Sequence, residues 1–502
     1  MLCALLVTLV LPLPTHDIQG EKGNFAIENI HIIDVINGEV IPNATLLIKS
    51  GRIDRLANSQ IDIPSDFKPI SGKGQYVIPG LWDMHTHGLK LSPQLHHPLF
   101  IRHGVTSVRD MSGCLTEDDD YWACPDDRHQ WTKQALSNEA VSPRYVLQSS
   151  YQTNGGNEIP QGFPDFFRLN SSEDAAKVVP FYEHQGADFI KTYTELTPQQ
   201  FEFLSDAVTS SDLSIAGHKP LQTSLETAIA AGMDSIEHGR LFMFECFEDI
   251  EQFRGQENPL GHYNTDKIRD IISKQDDKQC QLLMKQLADS NTYWVPTLTT
   301  LQMSARSRDE SFRQDQRLKF IPPIVKTLIW EQDVSRAASR GYDEQGEFVH
   351  EEYFDIASQQ VANAHRSGAK ILTGTDNIDT FVFTGSSLHD ELEMFVSAGI
   401  SPIDAMRSAT IEAAKFSSLD HELGSIEVGK TADLVFLSAN PLEDIRHSQD
   451  ITAVMFNGHY YNEKALSEME LATIDAANSI LVNINYLGDL LLSPLMRAQL
   501  VD

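Results

Sequence analysis

The run Val77-Ile78-Pro79-Gly80-Leu81-Trp82-Asp83-Met84-His85-Thr86-His87 places two histidines two residues apart at the end of an apolar stretch. The run predicts a strand, and in a strand residues i and i+2 share a face. Both imidazoles then converge on one side, while Met84 and Thr86 point away. Two neutral imidazoles on one face are half of a metal site. Alone, such a pair equally describes the polar rim of an ordinary strand. Its meaning rests on what later strands bring.

Downstream, β-type runs alternate with helical patterns, the mark of parallel βα units. Strands are predicted at 77–85, 104–110, 144–149, 189–193, 214–218, 235–239, 292–298 and 370–376. Eight such units predict an α/β fold, a (β/α)8 TIM-type barrel spanning residues 77–423. Helix starts are legible between them: Thr197 with Pro198, and Ser401 with Pro402, each pair an N-cap residue with a first-turn proline. Ahead of the barrel, residues 21–76 hold short strands, among them 25–30 and 31–34, with turns at Asn37-Gly38 and Ser50-Gly51. A second strand-rich piece, 424–465, follows it. The two are expected to form one small β-sandwich built from both chain ends. Polar, helical insertions near 241–281 and 303–357 exceed what a barrel needs. They fit either a cover over the barrel mouth or solvated decoration. Residues 466–502 are expected to form a helical tail docked on the barrel or on a partner subunit.

The 502 residues carry 39 basic and 71 acidic side chains, a net charge of −32. That balance repels polyphosphates and argues against nucleic-acid binding. Residues 1–20 begin with MLCALLVTLVLPLP, too short an apolar run to span a bilayer but suited to the apolar core of an export signal. A basic start and a small-x-small cleavage site are missing. The expectation is an exported protein, with no stable membrane insertion of the mature chain. Of five cysteines, Cys114 and Cys124 flank an acidic loop and fit either a local disulfide or free thiols.

Barrel active sites lie at the C-terminal ends of the strands, and those ends hold the informative residues. His85 and His87 end strand 1, Lys191 strand 4, His218 strand 5, His238 strand 6 and Asp376 strand 8. Six residues at such positions can face one cavity and point to a metal site. Arg109 and Asp110, ending strand 2, are expected to pair with each other. Trp82 and Asp83 are read as support for the histidine pair.

The motifs Pro79-Gly-Leu-Trp-Asp-Met-His85-Thr-His87, Gly186-Ala-Asp-Phe-Ile-Lys191, Gly217-His218, Ile236-Glu-His238-Gly and Gly374-Thr-Asp376 resemble those of the amidohydrolase superfamily across residues 25–465. The chain is most similar to its imidazolonepropionase-like and prolidase-like branch, judged by the Lys191 and His218 contexts and by Ser387-Leu-His389-Asp-Glu-Leu. The resemblance implies two divalent metal ions, zinc foremost. His85, His87 and Asp376 would bind the first, His218 and His238 the second, and Lys191, converted by CO2 to a carbamate, would bridge them with a hydroxide. It implies hydrolysis of an amide-type C–N bond in a small-molecule substrate such as a dipeptide or N-acyl amino acid. Asp376 would move the proton from the hydroxide to the leaving nitrogen. Tyr193 and His389 are candidate substrate contacts. Cyclic-amide hydrolysis, deamination and a non-catalytic scaffold are the competing readings, and symmetric homo-oligomers are common for such folds.

Overall fold

The computed structural model describes residues 13, 17–58, 61–115, 119–155 and 164–499. The apolar start of the chain, except Leu13, lies outside them. From Asp17 the chain is part of the fold: the Gly20 amide donates to Asn138 Oδ1 at 3.0 Å, and Asn138 Nδ2 donates back to the Gly20 carbonyl at 2.9 Å. Among the described residues no helix is long and apolar enough to cross a membrane.

The two ends of the chain meet in one mixed sheet. Its strands are β1 (Asn24–Asp34), β2 (Glu39–Lys49), β3 (Arg52–Ala57), β4 (Phe67–Ser71) and β5 (Tyr76–Pro79), with the late strands β13 (Leu434–Leu437), β14 (Ile451–Phe456) and β15 (His459–Tyr461). The order is β15-β14-β13-β5-β1-β2-β3, with β4 paired to β1. Alternation decides the faces. Leu434, Phe436, Ala453 and Met455 join Phe25, Ile27 and Ile48 in one cluster, whereas Val435, Leu437, Val454 and Phe456 enter the main core. The sheet curls on itself: Phe25 and Tyr460, four strands apart in that order, have ring centroids 5.8 Å apart. The two strands expected at 25–30 and 31–34 are one continuous strand. Asn29 takes φ 60°, and register shifts against β2 flank Ile30, so an irregularity rather than a turn absorbs the break.

The middle of the chain holds two parallel sheets. One is β6 (Leu81–Thr86), β7 (Val105–Asp110) and β8 (Arg144–Gln148). The other is β9 (Phe189–Thr192), β10 (Ser214–Gly217), β11 (Met233–Glu237) and β12 (Tyr293–Val295), in that spatial order. A parallel bridge between Thr153 and Thr192 links the stretch after β8 to β9. On the other side, 370–377 runs between β12 and β6. Ile371 bridges Trp294, Met84 N donates to the Thr373 carbonyl at 3.0 Å, and Asp376 N donates to the His85 carbonyl at 2.8 Å.

The eighth predicted strand, 370–376, is therefore in place but is not a regular ladder. Its Gly374 backbone presses so close that a Cβ there would lie 2.9 Å from the Cβ of His85 and 2.6 Å from Val295 Cγ1. Next to it, the buried Asp83 carboxylate accepts from Thr375 N at 3.0 Å and Thr375 Oγ1 at 2.6 Å, taking the place of a backbone partner.

Helices cover the strands, and their starts follow the sequence. The Thr197 hydroxyl accepts from Gln200 N at the head of Pro198–Val208, and Ser401 does the same for Asp404 N ahead of Pro402–Ser408. Disulfides join Cys114 to Cys124 and Cys246 to Cys280. The second pairing was not anticipated; it closes off most of the 241–281 insertion. The tail runs as helices Glu463–Asn478, Ile480–Leu492 and Pro494–Gln499, tied down by an Arg102–Glu470 ion pair at 2.7 Å and a Tyr121–Tyr486 hydroxyl contact at 2.9 Å.

Candidate active site

His85 lies on β6 and His87 one residue beyond it, and both turn toward Asp376 as the i, i+2 spacing demands. Asp376 Oδ1 sits 2.7 Å from His87 Nε2 and 3.2 Å from His85 Nε2. These three donors can hold one cation, since their ligand atoms lie within 4.8 Å of one another. Asp376 has φ 63°, in the left-handed region that a non-glycine residue seldom takes.

The second pair arrives differently. His218 follows β10, and His238 follows β11 with φ 73°. Their Nε2 atoms face each other at 2.8 Å, while their Nδ1 atoms meet the hydroxyls of Thr194 at 2.7 Å and Thr297 at 2.9 Å. With Nδ1–H donated to each hydroxyl, two bare lone pairs confront one another. In that tautomer both Nε2 lone pairs are open to a cation, whereas an Nε2–H on either ring would make the contact a hydrogen bond. His238 Nδ1 is 3.5 Å from Asp376 Oδ2, which connects the two pairs.

Between them is Lys191, on β9 and 1% exposed, with Nζ 3.4 Å from His85 Nε2. Burial lowers its pKa to about 8. Burial also lowers His87, puts His218 well below the ordinary imidazole value and takes His238 down to about 3, so these rings are neutral at pH 7. For His85, burial and Lys191 oppose protonation, but the Asp376 and Glu237 carboxylates outweigh them and raise its pKa. Burial would raise Asp376, yet His85, His87 and His238 hold it well below the usual carboxylate range. Neutral imidazoles at His87, His218 and His238 beside the ionised Asp376 are donors fit for divalent cations.

Glu237, within the Ile236-Glu-His238 motif, is the buried support of this site. Its Oε2 lies 2.8 Å from His85 Nδ1, and its Oε1 accepts from Arg109 Nη2 at 2.8 Å, all three side chains fully buried. Burial would raise its pKa, but Arg109 and His85 take it down to about 2. The carboxylate fixes the His85 tautomer and leaves Nε2 free to ligate. A glutamate inside an apolar strand, just before a histidine, was the available signal. Arg109 therefore pairs with Glu237, not with Asp110 as expected. Asp110 instead faces Arg128 at 3.4 Å.

Tyr193 lies at the site, its ring 4.0 Å from that of His218. His389 does not. It is buried in the helix Ser386–Ala398, with Nδ1 at 2.9 Å from Ser448 Oγ and Nε2 at 3.0 Å from the His103 carbonyl. Both ring nitrogens are used in packing that helix, which corrects the expectation of a substrate contact.

Two lobes open over the cluster, sharing Tyr193, His218, His238, Asp376 and Asp379. One, about 320 Å³, lies above His85, His87 and Lys191 under Trp122, Leu495 and Met496. The other, about 440 Å³, runs under Leu241, Phe244, Leu260, Tyr263 and Met303. The 241–281 insertion and the C-terminal tail thus both wall the cavity.

The model of the amidohydrolase family matches residues 76–460, and the chain belongs to that family. An adenine deaminase of Clostridium botulinum is 20% identical over 461 residues, 91% of this chain and 60% of that protein. The chain thus spans only 60% of the length of this relative. An imidazolonepropionase of Vibrio cholerae is 54% identical over 43 residues, 9% of this chain and 10% of that one. Among solved structures, bottromycin amidohydrolase superposes with a TM-score of 0.69 at 22% identity, covering 91% of each chain. A Xaa-Pro dipeptidase with methionine bound in its active site does so with a TM-score of 0.61 at 22% identity, covering 88% of this chain and all of the other. These superpositions speak to the fold.

Proposed function

We propose that this protein is a metal-dependent hydrolase that cleaves an amide-type C–N bond of a dipeptide or N-acyl amino acid. The observation that carries the reading is the convergence of His85, His87 and Asp376, the facing His218 and His238, and the buried Lys191 on the floor of one cavity. The strand ends then belong to a (β/α)8 barrel with 370–377 as its eighth member, and the curled sheet of the chain ends to a small β-sandwich.

His85, His87 and Asp376 would hold one divalent cation, and His218 and His238 a second, zinc being favoured by the imidazole-rich donors. Such ions supply a nucleophilic hydroxide near neutral pH and polarise a carbonyl. Lys191 would lie between them as a carbamate. Forming it requires the neutral amine, whose nitrogen bonds to the carbon of CO2 and releases a proton; a pKa of about 8 supplies that amine near neutral pH. Asp376 would accept the nucleophile's proton and pass it to the leaving nitrogen. The shared wall of Tyr193 and the insertion would orient the substrate and exclude water.

The experiment is a hydrolysis screen over N-acyl amino acids, dipeptides including Xaa-Pro, and cyclic amides, with zinc and bicarbonate supplied and bound metal quantified. Amide cleavage with retained metal is expected; metal retention without cleavage of any class defeats the reading. A second reading, hydrolytic deamination, draws on the similarity to adenine deaminases. Ammonia release from adenine in the same screen would favour it. Export is proposed as well, supported by the apolar start and by two disulfides. A start that remains on the mature protein, or reduced cysteines in the native protein, counts against it.

A further inference from the structure

Arg240, two residues after His238, lines the larger lobe of the cavity together with His218, His238 and Asp376. Its side chain is exposed, and the space it borders is that cavity. Among the described residues its guanidinium has no hydrogen bond or ion pair. Other arginines of the interior are all engaged. Arg109 holds Glu237, Arg128 holds the carbonyls of Ser149 and Ala123, Arg144 holds Asp433, and Arg254 holds Glu245.

The other charges around this lobe are accounted for. Lys219 is bound to Glu245 at 3.0 Å, Glu195 accepts from Asn154 Nδ2 at 3.2 Å, and Asp379, which accepts from Thr380 N at 2.8 Å, attracts Arg240 through space without an ion-pair contact. Arg240 is thus the lining cation that makes no hydrogen bond or ion-pair contact with a carboxylate among the described residues. A guanidinium presents paired N–H donors that match a carboxylate. The protein's net charge of −32 repels anions in general, so an anionic ligand needs a local cation of this kind. Beside Arg240 stand Leu241, Phe244, Leu260 and Met303, an apolar wall suited to an aliphatic or thioether side chain.

We propose that Arg240 binds the free carboxylate of the substrate's amino-acid half, so that the enzyme selects N-acyl amino acids or dipeptides ending in an apolar residue. This rests on the amide-hydrolase reading above for its chemistry, but the carboxylate site can be tested without turnover.

The probes are N-acetyl-L-methionine and N-acetyl-L-methioninamide, titrated calorimetrically into the zinc-loaded protein in an Asp376→Asn background, which suppresses turnover and keeps the metal. Wild type here means wild type at residue 240, and cleavage is read with Asp376 intact. The wild type is expected to bind the acid about 10- to 100-fold more tightly than the amide, the range of one hydrogen-bonded charge pair. Arg240→Ala should bind both alike, and Arg240→Lys should keep part of the preference; circular dichroism checks that both variants fold. Equal binding of acid and amide by the wild type, or an undiminished preference in Arg240→Ala, overturns the proposal. If the acid binds through Arg240 but neither probe nor any dipeptide is cleaved, the carboxylate site stands and the hydrolase reading falls. If cleavage occurs with no preference for the acid, the reverse holds.

Discussion

The two histidine pairs approach the same cavity with different backing. His85 leans on a buried carboxylate, Glu237, itself locked to Arg109, and His87 leans on the Ser112 hydroxyl at 2.7 Å. His218 and His238 have only threonine hydroxyls behind them and border the larger lobe. A carboxylate makes an imidazole a stronger electron donor and costs more to remove than a hydroxyl does. The first pair is accordingly the more firmly held, and the second borders both lobes of the cavity. Asp376 touches both.

That division can be broken most forcefully at Asp376. Asp376→Asn should lower amide turnover by about 10²- to 10⁴-fold while bound metal stays within about twofold, because the proton carrier is lost and a ligand oxygen is kept. Turnover within a few-fold of wild type would remove Asp376 from its assigned role. Next in size is Glu237→Gln. It leaves the buried Arg109 guanidinium without its counter-charge, a cost of about 3–5 kcal/mol, read by denaturant unfolding. Metal affinity, read by competition with a chelator, should drop by about 10- to 100-fold.

Lys191 sharpens the comparison because it lies between the pairs. Burial puts its folded pKa at about 8, below the ordinary lysine value of 10.5, so the folded state binds fewer protons than the unfolded state between those values. Its stabilising contribution is therefore complete above pH 10.5 and is lost as pH falls through about 8. In metal-free, bicarbonate-free protein this is on the order of 3 kcal/mol across the window. Unfolding curves should show that slope, and Lys191→Met should flatten it; an unchanged slope in the variant assigns the effect elsewhere. Smallest are Thr194→Val and Thr297→Val, each deleting one hydrogen bond of about 1 kcal/mol, so metal affinity should change by less than about tenfold. Losses as large as that of Glu237→Gln would erase the distinction between the pairs.

Much of this site was legible in the chain. Strand ends could be read from apolar runs that stop at a polar, metal-competent residue, and in the structure His85 and Lys191 lie near the ends of β6 and β9, with His87, His218 and His238 just past β6, β10 and β11. The eighth segment was legible through Asp376, although Asp83 and Gly374 make it irregular. His389 misled because a histidine near a helix start looks the same whether it faces a cavity or a core. Here Ser448 and the His103 carbonyl claim it. The pairing of Arg109 with Asp110 was inferred from adjacency, but neighbours on a strand point to opposite faces, so each found its own partner.

By itself the sequence determined which residues can ligate a metal and at which strand ends they stand, because a period of two is a local property of the backbone. Only the tertiary structure decided what stands behind and beside each of them. Glu237 reaches His85 from 152 residues away, and Asp83 reaches Thr375 across 292. Cys246 finds Cys280, and Arg240 is left facing the cavity without an ion pair among the described residues. Such partnerships depend on which strands become neighbours and on how much water packing removes, and neither is encoded in any single stretch of the chain.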